Sequence, residues 1–144
     1  MFQTASRYPE HLVQPMREEL TSLGVQELRN REEVERLMQD KDGTTLIIIN
    51  SVCGCAAGNA RPAIKMVMNQ EVVPNRMVTV FAGVDMEAVA SARSFISGYP
   101  PSSPSMALFK DGQLVYMLPR HKIEGRSPQE IADDLIKAFE VHCN

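Results

Sequence analysis

Two cysteines one residue apart, Cys53-Gly54-Cys55, are the residues whose types and spacing could do chemistry. They follow an apolar run, Thr45-Leu46-Ile47-Ile48-Ile49-Asn50, and open a segment from Ala56 to about Asn69 that reads as a helix. Thiol–disulfide exchange needs an attacking thiolate, a nearby resolving thiol and open access. A cysteine just before a helix meets backbone N–H groups and the positive end of the helix dipole, and both favour the thiolate. This makes Cys53 the expected attacking thiol. Cys55, in the first turn and less exposed, is its expected resolving partner. Gly54 suits the small ring of a Cys-x-Cys disulfide, because glycine tolerates unusual backbone angles. Such a disulfide is expected to be strained and therefore oxidising. Two other readings stand beside this one. The pair could be two small hydrophobes packed at a turn. It could also belong to a metal or iron–sulfur module drawing on Cys53, Cys55, Cys143 and a histidine, although zinc sites usually carry a second, more widely spaced pair.

The elements that must position the pair are legible in the pattern around it. Residues 9–23 place Leu12, Val13, Met16, Leu20 and Leu23 at helical spacing, and Gly24 is a stop. Pro15 falls inside that pattern, which allows the regular helix to begin only there. Residues 31–40 form a second helix, with Asn30 as cap and Glu33 at capping-box spacing. Thr44 to Asn50 lacks alternation and suits a central strand covered on both faces. Pro62 should kink the helix that follows the cysteines. Met77 to Phe81 is a second strand, and Asp85 can cap a helix to about Ser97. Ser105 to Lys110 and Gln113 to Leu118 are strands joined by Asp111-Gly112, a hairpin signal. Ser127, Pro128 and Glu130 start a last helix that turns Ile131, Leu135, Ile136 and Phe139 to the core.

That order predicts an α/β fold, a four-stranded mixed sheet flanked by helices on both faces, with an N-terminal helical extension. It is the thioredoxin-like arrangement, read as one domain over 1–144. The dithiol then sits at the carboxyl end of a central strand, where such sheets place their ligands. Two further features point at it. Pro104 immediately precedes the third strand, and an X-Pro bond is the usual site of a cis peptide. A cis Ser103–Pro104 bond would hold the Ser103 backbone open to an extended thiol substrate. Arg120 and His121, just after the fourth strand, should lie on the same face as the dithiol. They could lower the Cys53 pKa or bind a carboxylate-bearing thiol. Arg61 has a similar claim, and a plain solvated loop is the alternative for Arg120 and His121.

Composition sets the outer limits. The chain has 144 residues, 44% of them hydrophobic, and a net charge of −3, which gives no general basic field for nucleic acid. No apolar run approaches the ~20 residues a membrane span needs, and Met1-Phe2-Gln3-Thr4 lacks the order of a secretory signal. The expected compartment is the cytoplasm, where paired cysteines are more often catalytic or metal-binding than structural.

Several stretches together resemble the bacilliredoxin family. They are Ser51-Val52-Cys53-Gly54-Cys55-Ala56-Ala57-Gly58 with Ala60-Arg61-Pro62-Ala63, Ser102-Ser103-Pro104-Ser105-Met106-Ala107-Leu108, and Pro119-Arg120-His121 with Ile123-Glu124-Gly125. Val13-Gln14-Pro15-Met16-Arg17-Glu18-Glu19-Leu20 and the terminal Cys143 also fit. The resemblance implies a thioredoxin-like oxidoreductase, without a cofactor, that removes bacillithiol from mixed disulfides with client proteins. It implies that Cys53 takes the bacillithiol and that Cys55, or free bacillithiol, resolves the adduct. Disulfide isomerase activity is also ascribed to the family. Bacillithiol carries a malate group, which makes Arg120 and Arg61 expected substrate contacts beside the Ser103–Pro104 backbone.

Overall fold

The computed structural model describes residues 6–144. Residues 1–5, and with them the Met1-Phe2-Gln3-Thr4 stretch, lie outside the described residues. Helix α1 is Glu10–Thr21, strand β1 Gln26–Glu27, helix α2 Arg31–Gln39 and strand β2 Thr44–Asn50. A wide π-helical turn, Ala56–Ala60, leads into α3, Arg61–Val67. Then come β3, Arg76–Phe81, α4, Met86–Ser94, β4, Ser105–Lys110, and β5, Gln113–Leu118. A 3₁₀ turn at Arg120–Lys122 connects to α5, Pro128–His142.

The sheet order is β1-β3-β2-β4-β5. β1 and β2 run parallel to β3, and β4 runs antiparallel to both β2 and β5. The sheet thus has five strands among the described residues, not the expected four. The addition is β1, whose two residues are too few to show alternation. It pairs Gln26 with Val78 and Glu27 with Thr79 at the edge.

Every residue of β2 is buried. Its side chains divide between two cores, as the period of a strand requires. Leu46 and Ile48 join α3 and α5 residues such as Ile64, Leu135 and Phe139 on one face. Ile47 and Ile49 join Val34, Val89 and Phe109 on the other, beneath α2 and α4. Burying each such side chain stabilises the fold by about 1.5–3 kcal/mol, so β2 is fixed in register along its whole length.

Local signals held or shifted for identifiable reasons. Ser127 and Glu130 form the expected capping box, and Asp111 and Gly112 both take positive φ, as a tight hairpin turn requires. Asp85 is at the N-cap of α4, but its carboxylate makes no cap hydrogen bond. It is turned to Arg17 instead, 2.7 Å away. Helix α1 does not wait for Pro15. It starts at Glu10 and runs through the proline. At Pro62, the expected kink is replaced by a change of helix type. The residues before it open into the π turn, and the proline falls in the first turn of α3, where a missing N–H costs little.

Candidate active site

The dithiol sits where β2 ends, and a buried polar relay sets its position. The Asn50 side chain donates to the Met16 carbonyl of α1 at 3.3 Å. Its Oδ1 accepts from the Ser51 N–H at 2.9 Å and from Arg61 Nη1 at 2.9 Å. Arg61 Nη1 also donates to the Ser51 carbonyl at 2.9 Å. Ser51 Oγ in turn accepts from the Cys53 N–H at 2.9 Å. The Cys53 carbonyl then accepts from Ala56 and Ala57 at 2.9 and 3.2 Å, which starts the helix. Cys53 is therefore the last residue before the helical turns, as its sequence position predicts.

The two cysteines are free thiols, both partly buried, with their sulfurs 2.7 Å apart. Their titration is pushed in opposite directions. The Cys53 pKa is lowered, first by the Cys55 thiol hydrogen bond and then, against some burial, by the Cys55 and Ala56 backbone N–H groups and the Arg120 charge. The Cys55 pKa is raised by burial and by its role as the donor toward Cys53. The Cys55 N–H also lies 3.4 Å from Cys53 Sγ.

Across from the thiols lies the loop before β4. The Ser103–Pro104 bond is cis, as expected, and Pro104 is buried. Arg120 is tied to this loop. Its backbone N–H donates to Ser102 Oγ at 3.2 Å and its Nη1 to the Ser103 carbonyl at 3.3 Å. Its Nε pairs with Glu124 at 3.3 Å, and the side chain stays 41% exposed. Cys53 opens onto a groove of about 280 Å³, lined also by Ser51, Ser103 and Arg120 together with Arg7 and Tyr8.

The fold brings Cys53, Cys55, Ser103, Pro104 and Arg120 to one end of the sheet. Arg61 is also near, but it faces inward. It is 3% exposed, occupied by Asn50 and Ser51, and 3.2 Å from Glu19. The expectation that it meets substrate is therefore replaced by a positioning role behind the turn. His121 is exposed and does not line the groove.

Cys143 is at the opposite end. It packs under the sheet beside Thr44, the first residue of β2. The seven residues of β2 separate that point from the dithiol, a distance of ~20 Å at the usual rise of a strand. The donor set of the metal alternative is thus not assembled. No group of three or more His, Cys, Asp or Glu side chains that could hold a metal occurs among the described residues.

Arg7 and Tyr8 escaped the sequence reading, because two residues ahead of a helix carry no periodicity. Asn50 was read only as the end of a strand. The one signal available was a polar residue closing an otherwise apolar run.

A family model described as "Disulphide isomerase" matches residues 8–143. The chain is 54% identical over 138 residues to a bacilliredoxin of Salinibacter ruber, covering 94% of this chain and 81% of that one. It is 53% identical over 137 residues to a bacilliredoxin of Bacillus licheniformis, covering 94% and 95%. Among solved structures, Fasciola hepatica thioredoxin superposes with a TM-score of 0.57 at 16% identity, covering 82% of this chain and 99% of that one. Schistosoma mansoni thioredoxin gives 0.55 at 20% identity, covering 80% and 97%. These two show the fold, and the curated relatives show the lineage. The chain belongs to the bacilliredoxin family of thioredoxin-like thiol–disulfide oxidoreductases.

Proposed function

We propose that the protein removes bacillithiol from mixed disulfides with cytoplasmic client proteins, with Cys53 attacking and Cys55 resolving. The observation that carries this is the opposed bias of two sulfurs 2.7 Å apart, one held toward thiolate and one toward thiol. The Cys53 thiolate attacks the bacillithiol sulfur. The client–bacillithiol bond breaks, and the client sulfur leaves with the electron pair and takes up a proton. Cys55 then loses its proton and attacks Cys53 Sγ. Bacillithiol departs as a thiolate, and a Cys53–Cys55 disulfide remains. One further thiol opens that disulfide to a mixed disulfide and a second releases it, so the two thiols leave joined as a disulfide and both cysteines are reduced. Alternatively, free bacillithiol attacks the Cys53 adduct directly and leaves as bacillithiol disulfide. Proximity favours the internal route.

Intact mass after exposure to oxidised bacillithiol tests the roles. The unsubstituted protein should end as the internal disulfide. Cys55→Ser should hold one bacillithiol on Cys53, and Cys53→Ser should take up none at the dithiol. Uptake at Cys55 in Cys53→Ser at the full rate would reverse the assignment. General disulfide isomerisation is the second reading, supported by the description of the matching family model. Refolding of a scrambled disulfide client, compared with release of bacillithiol from a client, separates the two.

A further inference from the structure

The groove beside Cys53 has two walls of different origin. One is Ser103 with Arg120, from the loop before β4 and the turn after β5. The other lies outside the sheet framework, in Arg7 and Tyr8 ahead of α1. That segment is seated on the β3–α4 connection. The Arg7 N–H donates to the Gly83 carbonyl at 2.8 Å. A Cβ placed on Gly83 would stand 3.1 Å from Tyr8 Cε2 and 4.0 Å from Arg7 Cδ, and Gly83 has φ +79°. A side chain there would have to hold a left-handed backbone and push Tyr8 back by a few tenths of an ångström, so glycine lets the segment lie close. Arg17 anchors the following helix to the same connection, 2.9 Å from Glu10 and 2.7 Å from Asp85.

The wall is thus built into the fold, and Arg7 is the second arginine that lines the groove. No carboxylate lines that groove among the described residues. Arg120 has Glu124 within reach, whereas Arg7 has no carboxylate within ion-pair distance among the described residues. The molecule as a whole carries −3, so an anion gains nothing from the long-range field and must be selected locally.

We infer that Arg7 is a specificity-determining residue, which with Arg120 on the facing wall selects small thiol adducts bearing carboxylates for exchange with Cys53, and that Tyr8 positions it. This rests on the thiol-exchange reading of Cys53. In the step concerned, Cys53 Sγ bonds to one sulfur of a small disulfide, that disulfide's S–S bond breaks, and the second thiolate leaves with the electron pair. A charged rim residue acts mainly on the encounter rate and its salt dependence.

The test uses the reduced full chain and three disulfide probes of different charge: oxidised mercaptosuccinate, oxidised 2-mercaptoethanol and cystamine. Rates of Cys53 adduct formation are compared as the ratio of variant to unsubstituted protein for each probe. That ratio cancels the intrinsic reactivity of the probe. Arg7→Ala should slow the mercaptosuccinate reaction by about three- to tenfold at low salt, the range of a partly screened surface charge. Arg7→Glu should slow it more and speed the cystamine reaction, each rate taken relative to the same variant's rate with neutral 2-mercaptoethanol, which carries any change in the Cys53 thiolate itself. Tyr8→Ala should show the same pattern in weaker form. Unchanged mercaptosuccinate and cystamine rates in Arg7→Glu, with normal 2-mercaptoethanol exchange, overturn this inference alone. Failure of the unsubstituted protein to react with any probe overturns the thiol-exchange reading and this inference with it.

Discussion

At Cys53 the Cys55 thiol, two backbone N–H groups and the Arg120 guanidinium all act on one sulfur. Alkylation by iodoacetamide follows the thiolate, so its rate should rise with pH through a midpoint below that of an ordinary thiol. Removing a stabilising group must move the midpoint up. Cys55→Ala should raise it most, because the thiol hydrogen bond is the largest favourable cause. Arg120→Ala should raise it less, since the side chain is exposed and screened. A midpoint unmoved by either change would mean that the helix end alone sets the thiolate. Gly54 yields a different prediction. It does not adopt positive φ, and a Cβ there would meet nothing within 4 Å. The reduced backbone thus does not demand the glycine that the sequence reading justified by conformation. Gly54→Ala should leave the reduced protein equally stable or more stable by roughly 0.5–1 kcal/mol, read by thermal unfolding. The cysteines were legible because type and spacing alone carry their chemistry. Arg61 was misplaced because a sequence shows a charge without its direction. Only the fold turns that guanidinium inward onto Asn50 and Ser51.

Among the elements, the π turn and α3 hold the site from behind. Arg61→Met would leave the Ser51 carbonyl without its guanidinium donor and Asn50 Oδ1 with one donor fewer. A buried acceptor left unpaired costs about 1–3 kcal/mol. Urea unfolding should therefore show a loss of about 2 kcal/mol, and the Cys53 adduct should form more slowly as Ser51 drifts. Full stability in this variant would remove Arg61 from the relay. The π turn holds one residue more than an α-helix would use over the same stretch. Deleting Ala57, which is exposed, removes that extra residue and should shift Cys53 and Cys55 against the Arg61 anchor. The helix should persist by circular dichroism while bacillithiol uptake falls. Strong elements such as β2 and α5 were legible in the sequence, because periodicity and caps agree there. The π turn was visible only as an awkward proline, and β1 was too short to leave a pattern.

Over the whole molecule, two cores sandwich the sheet, and one ionic clamp ties the N-terminal helix to it. Arg17 is 2% exposed and reaches Glu10, Glu27 and Asp85, with its guanidinium 5.4 Å from the Phe81 ring centre. Arg17→Met would leave Asp85 and Glu27 with only the half-exposed Arg29, at 3.7 and 3.8 Å, as counter-charge. The expected loss is about 3–5 kcal/mol by denaturant unfolding, together with a loosened Arg7–Tyr8 wall. No single position announces this clamp, since its members lie far apart in the chain and meet only once β1 and β3 pair. The layered arrangement itself was foreseeable from the order of elements. Finally, β2 sets Cys143 and the dithiol at opposite ends of the sheet, and burial pushes the Cys143 pKa up. In Cys55→Ser protein one alkylation time course should therefore resolve into two phases, Cys53 fast and Cys143 slow. The slow phase belongs to a spectator thiol that survives every change at the active end. Its amplitude counts folded molecules, so each sample carries its own internal standard against which the fast phase is measured.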